Sequence, residues 1–242
     1  SITMLDLSNL DRIERELCSA VAEGLIANST LETLLIPGWS NSDPEVFYGP
    51  VWVWQEMLES NHCLKKLLFT DYCSISLEGA ESLARGLSRN TSLESLDLGW
   101  SEMADDSVVS LVDGLRTNKT LKCLDLTDNC VASPSGRAAI ERLLAYNVLR
   151  ELILEETQES VGVSIVASGL STNRSLKILH LECTFVENEG TETFRALCES
   201  LRGNTTLRYL DVVFNDVLLD GISATALKLD TMSLETLDLR YN

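Results

Sequence analysis

The stretch Leu121-Lys-Cys-Leu-Asp-Leu-Thr-Asp-Asn129 carries leucines at its first, fourth and sixth places and closes on an asparagine. The same phrase returns down almost the whole chain, led in turn by Ile2, Leu31, Leu64, Leu93, Leu121, Leu149, Leu176, Leu207 and Leu234. Successive leaders lie 29, 33, 29, 28, 28, 27, 31 and 27 residues apart. A period near 28, with apolar residues always three and five places on, marks a chain made of one recurring supersecondary unit. Such units bury their core between neighbours. The 242 residues are therefore expected to form a single domain, 1–242, of about eight full repeats plus a terminal strand.

One unit, residues 91–118, shows the construction. Leu93, Leu96 and Leu98 alternate with Ser95 and Asp97, the period of two of a strand with one buried face. After a turn at 101–106 the period becomes helical, with Val108, Leu111, Val112 and Leu115 on one side. Counting back three places from each closing asparagine gives Leu25, Leu58, Leu87, Leu115, Leu144, Leu170 and Leu201; seven places back lie core residues that include Trp54. Gly24, Gly86, Gly114 and Gly169 stand four places back despite the helix penalty of about 1 kcal/mol, which predicts close approach of neighbouring helices. Strand and helix in alternation, with right-handed crossovers, give a parallel sheet. The wider helical side makes the stack curve, with strands on the concave face and helices on the convex one.

The phrases at 121–129, 207–215 and 234–242 resemble the long leucine-rich repeats of the ribonuclease-inhibitor type. The resemblance spans the chain and implies a curved α/β leucine-rich-repeat solenoid. Similar repeats occur in ribonuclease inhibitor, sensor regions of NOD-like receptors, tropomodulin-type actin caps and GTPase activators of the Ran type. Protein binding is what they share. The chain departs from the pattern where Ser101, Thr157 and Thr184 replace the family's buried asparagine, and where Trp39 and Tyr72 do so near the start. An insertion occupies 41–50, and one residue is missing before Leu149. Neither end carries an obvious polar capping unit, so a piece of a longer protein is expected.

Nineteen basic against thirty-seven acidic residues give a net charge of −18. That balance argues against nucleic acid and against an anionic membrane surface, and favours a protein partner of basic character. Simple solubility is the plainer reading of the same charge. The seven cysteines form no CxxC pair and no zinc or disulfide framework, which points to a reducing, cytoplasmic setting. Asn28, Asn90, Asn118, Asn173 and Asn204 match the glycosylation pattern. Each falls where a helix ends, and each is read here as a left-handed helix cap.

Candidate binding residues come from the columns that equal repeat positions form across the sheet. The column four places after each leader reads Asp6, Leu35, Leu68, Asp97, Asp125, Ile153, His180, Asp211 and Asp238. Glu151, Glu155, Glu156 and Glu182 cluster in the sixth and seventh repeats beside Asp125, Asp128 and His180, and are expected to receive Lys or Arg from a partner. Like charges on neighbouring strands cost stability, so their accumulation needs a reason. The column seven places on supplies aromatic anchors at Trp100, Phe214 and Tyr241, residues that could equally lean onto the end of the sheet. Trp39, Phe47, Tyr48 and Trp52 in and around the insertion could bind, or bury one another.

No phosphate loop, nucleophile elbow or HExxH pattern is present, so no enzyme, cofactor or metal is expected. A metal at His180 with Glu182, Cys183, Cys123 and Asp125 would have to bridge two strand spacings, about 10 Å. The sequence reading is thus a protein-recognition module. Its alternatives are a GTPase activator of the Ran type, and a scaffold or sensor region of a larger receptor. Oligomeric state is left open.

Overall fold

In a computed structural model, residues 2–10, 15–37, 51–70, 74–155, 163–184, 190–217 and 233–242 are described. Nine strands run in chain order through one sheet: β1 (Met4–Asp6), β2 (Thr33–Pro37), β3 (Lys66–Thr70), β4 (Ser95–Asp97), β5 (Cys123–Asp125), β6 (Glu151–Ile153), β7 (Ile178–His180), β8 (Tyr209–Asp211) and β9 (Thr236–Asp238). Every neighbouring pair is parallel and joins equal repeat positions, as in Asp97↔Asp125↔Ile153↔His180↔Asp211↔Asp238. The helices among the described residues are α1 (Arg15–Ile26), α2 (Val51–Ser60), α3 (Leu77–Arg89), α4 (Asp105–Leu115), α5 (Pro134–Ala145), α6 (Val163–Thr172) and α7 (Gly190–Leu201). Helices are wider than the strand spacing of about 4.8 Å, so the stack curves around its sheet. The fold is a curved α/β leucine-rich-repeat solenoid.

The repeat leaders and their partners three and five places on are the core. Leu93, Leu96, Leu98, Leu121, Leu124 and Leu126 are buried, and so are the helical Val108, Leu111, Val112 and Leu115. Full burial contributes about 1.5–3 kcal/mol per side chain of this size. Trp54 is buried edge-to-face against Phe69 at 5.7 Å, a packing residue as its repeat position implies. Local signals begin the helices: the Ser76 and Ser133 hydroxyls accept from the amides of Gly79 and Gly136, and Pro134 opens α5.

The helical glycines divide. A Cβ on Gly86, Gly114 or Gly169 would come within 2.8 Å, 2.5 Å or 2.6 Å of the preceding repeat. Gly24 has nothing within 4 Å, because its face of α1 meets no earlier helix of this chain. Close approach therefore accounts for three of the four.

The asparagines that close the repeats act differently from the expectation. Asn90 ends α3 in extended backbone (φ −66, ψ 137), and among the closing asparagines only Asn147 is left-handed. They form a ladder instead. Asn90 Oδ1 accepts from the amides of Ser92 and Leu93, while its Nδ2 donates to the carbonyls of Leu58 and Asn61 in the preceding repeat. Asn61, Asn118 and Asn204 repeat this four-bond scheme. Asn173 keeps three of the bonds, reaching Leu144 O but no asparagine carbonyl. With Asn90, Asn118, Asn173 and Asn204 buried and their amides engaged, four of the five glycosylation-pattern sites are structural. We call this side, where strands begin, the leading edge.

Candidate functional site

Strand ends opposite the ladder form the trailing edge. There the seventh position after five of the leaders takes left-handed backbone: Trp100 (φ 56), Asp128 (φ 50), Cys183 (φ 50), Phe214 (φ 53) and Tyr241 (φ 58). None is glycine, and left-handed backbone costs roughly 1–2 kcal/mol at other residues. The conformation lets the amide reach the next repeat, as in Trp100 N to Thr127 O (2.8 Å), Asp128 N to Glu155 O (2.9 Å) and Cys183 N to Val213 O (3.1 Å). One place further on, Asn129, Asn215 and Asn242 donate to carbonyls of the preceding repeat, at Leu98, Leu181 and Val212. Thr184 keeps that contact with its hydroxyl, to Leu154 O at 2.7 Å. Ser101 is too short and reaches only Gly99 O, at 3.4 Å.

The acidic residues expected to act together split into two groups. On β6–β8, His180 Nδ1 lies 3.4 Å from Glu155 and 3.6 Å from Asp211, and its Nε2 lies 3.9 Å from Glu151. The hydrogen bond to Glu155 raises the imidazole pKa, burial opposes it, and the remaining carboxylates add to the rise. Tyr209 tilts over the ring at 5.3 Å. This part of the face thus holds a basic imidazole among its carboxylates. Glu155, His180 and Asp211 offer ligand atoms within 4.8 Å of one another and could accept a cation, a grouping hidden in the sequence because it joins a sixth position to two fourth positions.

On β4 and β5 the arrangement is different. Asp97 and Asp125 are register partners, half-buried, and held by the amides of Gly99 (2.9 Å) and Thr127 (2.8 Å). Burial pushes the Asp97 carboxyl up to about 6, against the Gly99 amide and with help from Asp125; burial likewise raises Asp125. Both face a groove of about 480 Å³ lined by Phe69, Thr70, Asp97, Gly99, Trp100, Asp125, Thr127 and Glu155. Among the described residues no basic side chain lines it. Gly99 at the sixth position leaves its middle open: a Cβ there would sit 3.3 Å from Asp97 Oδ1 and 3.4 Å from Asp125 Oδ1. Asp97 belongs to the acidic column of the sequence, and its closeness to Trp100 across Gly99 is the signal that marks it.

The remaining candidates scatter. Phe214 and Tyr241 stack at 4.5 Å and 7°, and are 49% and 69% exposed. Asp238 is paired with Arg240 at 2.7 Å. Glu182 and Asp128 are half-buried on the trailing edge, and Trp52 is 56% exposed at the start of α2. Trp39, Phe47, Tyr48 and Glu156 lie outside the described residues. Burial lifts the thiol pKa of Cys198 to about 11 and of Cys123 to about 12. No helix among the described residues is long and apolar enough to cross a membrane.

A family model described as leucine-rich repeat matches residues 89–112, 117–138 and 203–224. Over 184 residues the chain is 27% identical to the Mus musculus NACHT, LRR and PYD domains-containing protein 4E. That match takes in 74% of this chain and 18% of the mouse protein, so the chain spans less than a fifth of that relative's length. Among solved structures it is similar to actin-binding site 2 of leiomodin-1 (18% identity, TM-score 0.43, 71% of this chain and 80% of that one). It is also similar to TLR13 in a complex with single-stranded RNA (16% identity, TM-score 0.43, 100% of this chain and 36% of that one). The matched repeats and the in-order parallel sheet agree on a leucine-rich-repeat solenoid fold. No catalytic family is indicated by these matches.

Proposed function

We propose that this chain is a protein-recognition module of the ribonuclease-inhibitor repeat type, whose trailing-edge groove receives a Lys or Arg side chain from a basic segment of a partner. The observation that carries the reading is the Asp97–Asp125 pair: two neighbouring carboxylates, half-buried, beside Trp100, in a groove lined by no base among the described residues. A cation entering there would lie within reach of the carboxylates and against an indole, a pairing worth about 0.5–2 kcal/mol beyond the charge attraction. The helices of 10 to 13 residues in α2–α7 support the repeat type. Glu151, Glu155, His180 and Asp211 serve in this reading as a flanking surface whose carboxylates surround an imidazole.

The test is calorimetric titration with blocked peptides bearing Arg, Lys or Glu at their centre. Basic peptides should bind the native chain and lose at least tenfold in affinity against Asp97→Asn/Asp125→Asn. Equal affinity for the variant would overturn the reading. A second reading, a sensor region within a larger receptor of the NOD-like kind, is favoured by the similarity over 184 residues to the mouse NACHT-containing protein. It uses the same groove and is compatible with the first.

A further inference from the structure

The leading edge holds a charge pattern opposite to that of the chain as a whole. The first position after each repeat leader reads Glu94, Lys122, Arg150, Lys177, Arg208 and Glu235 from the fourth repeat to the ninth. Backbone bonds tie these residues side by side: Lys122 N to Glu94 O, Arg150 N to Lys122 O, Lys177 N to Arg150 O, Arg208 N to Lys177 O and Glu235 N to Arg208 O, each at 2.7–2.8 Å. Four cations thus stand on four adjacent strands in a chain of charge −18. Like charges directly opposite each other across a sheet are destabilising.

Part of the row has an internal explanation. Lys122 donates to Lys119 O, and Arg208 donates to Thr205 O, Leu207 O and Ser233 O while pairing with Glu235 at 3.3 Å. Arg150 and Lys177 are exposed and make no ion pair among the described residues. Helix dipoles do not account for them. Their influence fades within the last turn, whereas Ala145 and Thr172 end α5 and α6 five residues before Arg150 and Lys177.

We propose that this row is a second docking surface, which takes an acidic segment of a protein partner in extended form, lying across the strand ends. Lys122 to Arg208 spans three strand spacings, about 14 Å. Carboxylates at alternate positions of an extended chain repeat every ~6.7 Å, so three of them cover about the same distance. Glu94 and Glu235 bound the row on either side, so a longer polyanion would run onto carboxylates. The row also carries no aromatic side chain for bases to stack on, which sets it apart from single-strand nucleic-acid grooves.

The experiment titrates the chain at low salt with a blocked Glu-Ser-Glu-Ser-Glu peptide and with an oligothymidylate of similar charge. The peptide should bind the native chain, weaken as salt rises, and lose at least tenfold in affinity against Arg150→Gln/Lys177→Gln. The Arg150→Lys variant should retain most of it, and Asp97→Asn/Asp125→Asn should leave it unchanged, which separates this surface from the groove. Because both side chains are exposed and unpaired with acids, the glutamine variant should melt with the native chain. Equal peptide binding by a folded glutamine variant, no peptide binding by the native chain, or tighter binding of the oligothymidylate would each overturn the proposal.

Discussion

The two edges of the solenoid solve the same problem, how to end a row of parallel strands, by opposite means. At the leading edge one residue type is used almost without variation, and Asn61, Asn90, Asn118, Asn173 and Asn204 each tie a repeat to the one before it through a buried bond. At the trailing edge the equivalent position varies among Asn, Ser and Thr, the residue before it is left-handed without being glycine, and half-buried carboxylates sit with raised pKa values. Regularity marks where the fold is secured. Irregularity, with desolvated charge and strained aromatic positions, coincides with the groove proposed above for a partner.

The largest expected effect tests the first half of that contrast. Asn90→Ala removes four bonds and leaves the amides of Ser92 and Leu93 buried without acceptors. At about 1–3 kcal/mol for each orphaned group, a loss of roughly 3–5 kcal/mol is expected, read as a lower midpoint in urea unfolding. Thr184→Ala on the trailing edge should cost only about 1–2 kcal/mol; comparable losses would erase the contrast. Next comes Gly114→Ala, whose methyl would meet the backbone of Ala84 at 2.5–2.6 Å. Overpacking of about 1–3 kcal/mol should exceed the helix-propensity gain, whereas Gly24→Ala should stabilise by about 0.5–1 kcal/mol.

Acid sharpens the second half. Asp97 holds protons more tightly folded than unfolded, so the charge it carries at neutral pH opposes folding, and stability should rise as pH falls from about 6 toward 4. Asp97→Asn keeps the oxygen that accepts from Gly99 and should raise Tm at pH 7, with the gain fading at pH 4.5. His180 has the same sign by another route: its raised pKa contributes stability that is present below 6.5 and lost as pH climbs through the folded value. The smallest effect is expected for His180→Gln, whose Tm deficit should be greater at pH 5.5 than at pH 8. A deficit independent of pH would mean the imidazole only packs.

The period and the two leucines that follow each leader were enough to read the core and the strand columns, because both depend on spacing alone. The asparagines were misread as left-handed caps because their partners are the carbonyls of another repeat, 28 to 36 residues away in sequence. The left-handed positions could not be seen either, since Trp100, Phe214 and Tyr241 are residues that usually avoid that region. The splitting of the acidic face depended on side-chain reach, which a column of letters does not contain. The basic row was legible in principle. A net charge summed over the whole chain concealed it.

One irregularity of the ladder has a mechanical meaning. With one residue fewer before Leu149, Asn147 turns outward, donates to Ala145 O, and makes no bond to the carbonyls of Leu115 or Asn118. A void of about 10 Å³, close to the space of one water, is left between Leu115, Asn118, Leu121 and Tyr146, Val148, Leu149. In a stack whose stability is a sum over neighbouring interfaces, a missing rung and a missing atom on the same plane make a cleavage plane, as in a layered crystal. Amide exchange should find the first four repeats and the later ones opening as separate blocks, parting between α4 and α5.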